Sequence, residues 1–79
     1  MLRDRRDVVR NVVTEITRRK VRDDELLVSS GIIDSLRVLK LISRLEVQLQ
    51  THIPTDQVQP EDFDSVDLIL ETIERVSIS

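Results

Sequence analysis

Apolar residues recur at three- and four-residue steps in three separate stretches of this chain, and no stretch shows the alternation of a half-buried strand. Val8, Val9, Val12, Val13 and Ile16 make the first stripe, which predicts a helix over about 4–20 with Arg and Glu on its outer face. Its valines lose side-chain freedom in a helix, so packing rather than intrinsic propensity must hold it. Val38, Leu41, Ile42, Leu45 and Leu49 make the second stripe, within a helix over about 35–50 that turns Arg37, Lys40, Arg44 and Gln48 outward. Val66, Ile69, Leu70, Ile73 and Val76 make the third, in a helix over about 65–76. Asp64 or Ser65 can cap that helix, and Asp67 sits in its first turn, where the helix dipole favours an acid.

Between these helices the chain is short of punctuation, with one Gly and two Pro in 79 residues. The stretch 21–34 reads as a loop anchored by Leu26, Leu27 and Val28. Pro54 biases Ile53 toward extended backbone, and Pro60 can open a turn at a first helical position. "PEDF", residues 60–63, is too short for an independent helix and is expected to be a single turn that inserts Phe63 into the core. The expected fold is all-α, a small four-helix bundle of three main helices plus a short third helix, in a single domain over residues 1–79. Its core is thin, because a chain this short buries only about 60% of its unfolded surface. Val, Ile and Leu must fill that core, Phe63 being the only aromatic residue.

The same composition removes several classes of function. No apolar run approaches the ~20 residues of a membrane span, and "MLRDRRDVVR" offers no apolar signal segment, so a cytoplasmic protein is expected. With no cysteine there is no disulfide, no protein thiol and no thiolate metal ligand, and any thiol chemistry would have to come from an attached group. The net charge of −3 is polarised: residues 1–22 hold eight Arg or Lys against three acids, and residues 51–79 hold seven acids against Arg75. The two ends should attract. Nucleic-acid binding by the basic first helix would need aromatic or motif support that is absent, so no nucleic-acid partner is expected. His52 is the only imidazole and lies in a turn, while "DDE" and "EDFD" lack calcium-loop spacing; neither catalysis nor a metal site is expected. A monomer is the default.

What remains is "GIIDSLRVLK", residues 31–40. Asp34 and Ser35 suit any helix start, and taken alone the tripeptide Asp-Ser-Leu is weak. Its setting is more specific: a loop, a Gly-Ile-Ile lead-in, the longest helix, an Ile-Pro bend and a final amphipathic helix. In this order the chain resembles the acyl and peptidyl carrier proteins that bear phosphopantetheine, from the first helix through "GIIDSLRVLKLISRLE", "IPTDQV" and "FDSVDLILETI".

The resemblance implies an acyl-carrier-protein-like bundle in which Ser35 receives phosphopantetheine from coenzyme A through a phosphopantetheinyl transferase. The arm would hold acyl or aminoacyl groups as thioesters and pass them from a loading ligase to downstream synthases or transferases, the protein itself being no enzyme. It also implies that partners meet Asp34, Leu36, Arg37, Leu39, Lys40, Ser43, Arg44 and Val47. Leu36 and Leu39 lie off the core stripe, either as exposed contacts or half-buried against the preceding loop. The carriers of bulk fatty-acid synthesis typically present an acidic second helix, whereas Arg37, Lys40 and Arg44 are basic, which favours a specialised lipid or secondary-metabolite pathway. The alternative is an unmodified helical interaction domain of degenerate carrier fold, with Ser35 serving only as a helix cap.

Overall fold

A computed structural model describes residues 4–76; residues 1–3 and 77–79 of the expected domain lie outside the described residues. Three α-helices, α1 (Arg5–Thr17), α2 (Ser35–Leu49) and α3 (Val66–Val76), pack around one aliphatic core, with 3₁₀ turns at Thr55–Gln57 and Pro60–Phe63 between α2 and α3. The three stripes face inward as their spacing requires, and Val9, Val13, Leu41, Leu45 and Ile69 are completely buried. Phe63 joins them at 0% exposure, delivered by a turn that Pro60 opens and Asp62 closes by accepting the Gln59 N–H at 2.8 Å.

α1 is shorter than its periodicity predicts. Arg18 adopts the left-handed conformation (φ 59°), and its N–H returns to the Thr14 carbonyl at 2.7 Å, ending the helix at Thr17. Such a conformation costs a non-glycine residue roughly 1–2 kcal/mol, and it redirects the chain into the loop under α1. α2 ends in the same manner at Gln50 (φ 51°). The Glu46 carboxylate then accepts the Ile53 N–H at 2.8 Å, which turns Ile53 and Pro54 into the core. The Thr55–Gln57 turn that follows had no sequence signal beyond Pro54.

The loop between α1 and α2 is held more by polar contacts than by its apolar patch. Leu27 is buried and Val28 half-buried, but Leu26, expected to anchor the loop, is exposed. Asp64 supplies the main fixture. Its Oδ1 accepts the backbone N–H groups of Leu27, Val28 and Ser29 at 3.1, 2.7 and 2.9 Å, and its Oδ2 accepts the Ser29 hydroxyl. Because Asp64 is occupied in this way, Ser65 caps α3, its Oγ accepting the Leu68 N–H at 3.1 Å. A second fixture joins the basic and acidic ends of the chain: Arg6 donates to both Asp23 and Asp67 at 2.7 Å, and Arg10 donates twice to Asp23.

Both fixtures depend on ionised carboxylates. Burial alone would raise the Asp64 pKa, but the hydrogen bonds from Ser29, Val28 and Leu27 outweigh it and hold the group below the usual value. The Arg10 hydrogen bond, opposed by burial and reinforced by Arg6, lowers Asp23 from 3.8 to about 2. The unfolded chain takes up these protons near pH 4, as carboxylates do. The stability from both groups is therefore complete above that pH and is lost as pH falls through the lower folded-state values, near 2 for Asp23. Urea unfolding as a function of pH should show this acid limb, and Asp23→Asn should flatten it. At neutral pH, Asp64→Ala should lower the unfolding free energy by roughly 1–3 kcal/mol, because the part-buried N–H groups of Val28 and Ser29 lose their acceptor while the Leu27 N–H keeps the Asp64 carbonyl at 2.7 Å. Asp64→Asn, which keeps one acceptor oxygen, should cost less than Asp64→Ala but still lose stability; no loss in Asp64→Asn would mean that the charge has no part in the clamp.

Candidate functional site

The loop reaches α2 through a set of local constraints, each met by a residue of "SGIIDS". Gly31 takes φ 84°, a conformation open to glycine at little cost, and its N–H closes a turn on the Val28 carbonyl at 3.1 Å. A Cβ at Gly31 would meet nothing within 4 Å, so glycine is required there for its backbone rather than for space. Ile33 is buried and its N–H bonds to Leu27 O at 2.9 Å, which ties the approach to α2 to the segment that Asp64 holds. Ile32 is half-buried.

Asp34 is the N-cap of α2: extended (φ −93°, ψ 179°), it accepts the Arg37 N–H on Oδ1 at 2.9 Å. Capping by Asp34 removes the cap role that the alternative reading gave to Ser35. Ser35 is the first residue of the helix, and its side chain is exposed and makes no hydrogen bond among the described residues. The cap role and the free hydroxyl thus fall on adjacent residues. Beside Ser35 a groove of about 260 Å³ runs between α2 and the two 3₁₀ turns, walled by Val38, Leu39, Ile42, Val58, Pro60 and Phe63. A phosphate ester on Ser35 would lie at the positive end of the α2 dipole, and an attached chain would find an aliphatic wall next to it. The residues present fit phosphopantetheine on both counts.

Other residues singled out from the sequence fall as follows. Leu36, Leu39 and Val47 are 78%, 55% and 70% exposed, which decides against burial of the leucines under the loop. Arg37, Lys40 and Ser43 are exposed. Arg44 leans back onto α1, ion-paired with Glu15, and its Nε is buried without a partner among the described residues. His52 is exposed, with Nδ1 3.1 Å from Glu46. Among the described residues no three His, Cys, Asp or Glu side chains gather as a metal site, and no helix is long and apolar enough to cross a membrane. Sequence reasoning missed Arg18, which the left-handed turn brings beside Arg37 and Lys40. It missed the Asp64 clamp as well. The signal there was the pairing of Asp64 with Ser65: one helix start takes one cap, so one of the two was free for other work.

The described residues thus form a three-helix bundle with a short 3₁₀ turn before its last helix and an exposed serine opening its second. The chain matches the family described as phosphopantetheine attachment site over residues 7–73, and it belongs to that family. No curated protein matches it. The family's prosthetic group is a covalently attached phosphopantetheine, so the protein is a phosphopantetheine-bearing carrier, a class of domain that is not itself catalytic.

The cap is testable apart from any modification. Asp34→Ala should destabilise the protein by about 1 kcal/mol and speed amide exchange at Leu36 to Val38. Asp34→Asn or Asp34→Ser should restore most of the loss, since both are good caps. Unchanged exchange in Asp34→Ala would show that the cap bond contributes nothing.

Proposed function

We propose that Ser35 is the attachment point of the phosphopantetheine arm and that the chain is a single carrier domain, monomeric and cytoplasmic. It presents acyl or aminoacyl groups to the enzymes of a specialised pathway. The observation that carries this reading is the state of Ser35: the first residue of α2, exposed, relieved of capping by Asp34 and next to an apolar groove. The group supplies a thiol on a long flexible tether, on which acyl cargo is held as a thioester.

The chain's own residues have limited tasks in this scheme. Ser35 Oγ forms the new bond to phosphorus, the pyrophosphate bond of coenzyme A breaks, and the nucleotide leaves with that electron pair. The serine proton must go to a base on another protein, because no side chain of the described residues hydrogen-bonds to Ser35. A separate phosphopantetheinyl transferase meets that need. Asp34 holds the first turn in place, and the N–H groups and dipole at the start of α2 stabilise the phosphodiester. Leu36, Arg37, Leu39, Lys40, Ser43, Arg44 and Val47, together with Asp34, form the face offered to the transferase, the loading ligase and downstream synthases. Basic residues on that face support a pathway other than bulk fatty-acid synthesis.

Incubation with coenzyme A, magnesium and a broad-specificity phosphopantetheinyl transferase should add one phosphopantetheine mass to the intact protein, and Ser35→Ala should abolish the addition. No gain of mass in the unaltered protein would favour an unmodified interaction domain. A gain that survives Ser35→Ala would move the attachment elsewhere.

A further inference from the structure

Helix α2 leaves an apolar strip in water. At 3.6 residues per turn, Val38, Leu41, Ile42 and Leu45 face the core, while Leu36, Leu39, Ser43 and Val47 share a second face, running about 16 Å along the helix. The three aliphatic side chains on it are 78%, 55% and 70% exposed. Single exposed leucines are ordinary, but three large aliphatic residues aligned on one face of a helix mark a contact surface.

The charge along one edge of that strip is of a single sign. Arg37, Lys40 and Arg44 of α2 and Arg18 from the left-handed turn after α1 line a cleft of about 490 Å³ between the two helices. Among the described residues Glu15 is the one acid lining the cleft, and it is ion-paired with Arg44. Arg18, Arg37 and Lys40 have no ion pair among the described residues, and the buried Arg44 Nε has no acceptor. A separate cleft between α1 and α3 carries the opposite balance, Asp4, Asp67, Glu71 and Glu74 against Arg5 and Arg6. A chain of net charge −3 therefore keeps unpaired positive charge beside its exposed apolar strip.

We infer that this strip docks a protein surface that has an apolar pocket rimmed by carboxylates. Leu36 and Leu39 enter the pocket, and Arg18, Arg37 and Lys40 meet the acidic rim. The inference rests on the reading of α2 as the face offered to partner enzymes and adds the chemistry of the partner. Rim charges of this kind steer the encounter and reject basic surfaces, while the aliphatic contacts supply most of the affinity. A symmetric pairing of two copies through this strip is disfavoured, since it would bring the basic edges together.

The test uses two helical peptides with the same leucine face, one flanked by Glu and the other by Lys, titrated into the ¹⁵N-labelled full chain. The Glu peptide should shift the amides of residues 36–47 and Arg18, and it should bind at least tenfold more weakly at high salt. The double variant Arg37→Glu/Lys40→Glu, checked for folding by circular dichroism, should weaken the Glu peptide at least tenfold and favour the Lys peptide. Leu39→Ser should weaken both. Equal binding of the two peptides, shifts centred away from α2, or no effect of charge reversal would overturn the inference. So would concentration-dependent broadening of the α2 face without peptide, which would make a second copy the occupant, or binding of vesicles containing anionic lipid through this face in preference to the Glu peptide. Loading of the unaltered protein is scored separately. Normal loading without charge preference sinks this inference alone, and peptide binding without loading sinks only the Ser35 assignment.

Discussion

The Asp64 carboxylate is the interaction on which the arrangement of this domain most depends. It stands at the start of α3 and gathers three successive N–H groups from a loop more than thirty residues earlier in the chain. A loop of this length carries backbone donors that neither helix nor sheet can satisfy; one ionised oxygen accepts from three of them, and the Asp64 carbonyl shares the Leu27 N–H at 2.7 Å. The consequence is carried along the chain. With Leu27 to Ser29 held, Ile33 can pack beneath the loop and bond back to Leu27, Asp34 falls at the cap position, and α2 begins where it does. The clamp lies far from Ser35 in sequence, yet it sets where that serine is presented.

Electrostatics elsewhere in the domain divides into structural and unspent charge. Arg6 and Arg10 are consumed by Asp23 and Asp67, joining α1, the loop and α3. Arg44 is consumed by Glu15. Among the described residues Arg18, Arg37 and Lys40 have no ion pair, and they line one cleft between α1 and α2. Within the basic N-terminal segment Arg6, Arg10, Arg19 and Arg22 are held in ion pairs with acids of the same domain. Arg18, Arg37, Lys40 and Arg44 line the cleft along the same helix that begins with Ser35.

Legibility followed the range of the interaction. Helix positions and inward faces were readable because the periodicity of Val8 to Ile16, Val38 to Leu49 and Val66 to Val76 is a local property. The turn carrying Phe63 was readable because Pro60 marks its first position. The end of α1 was not, since a left-handed Arg18 has no glycine to announce it. The family resemblance drew attention to Ser35, but its exposure, its freedom from hydrogen bonds and the division of labour with Asp34 were visible only in three dimensions. Asp64 suits a cap by local rules, since helix starts favour Asp, but its partners lie in another part of the chain.

By itself, the sequence determined an all-α domain, three amphipathic faces, an aliphatic core with one aromatic residue, and a helix opening on Asp-Ser-Leu. These follow from hydrophobic spacing and from the stereochemistry of caps and proline, which act over a few residues. The tertiary structure decided which of two adjacent residues caps α2, that Leu36, Leu39 and Val47 stay in water, and that Arg18 joins Arg37 and Lys40. Those outcomes depend on the packing of α1 against α2 and on the clamp between the loop and α3, so no short window of sequence contains them.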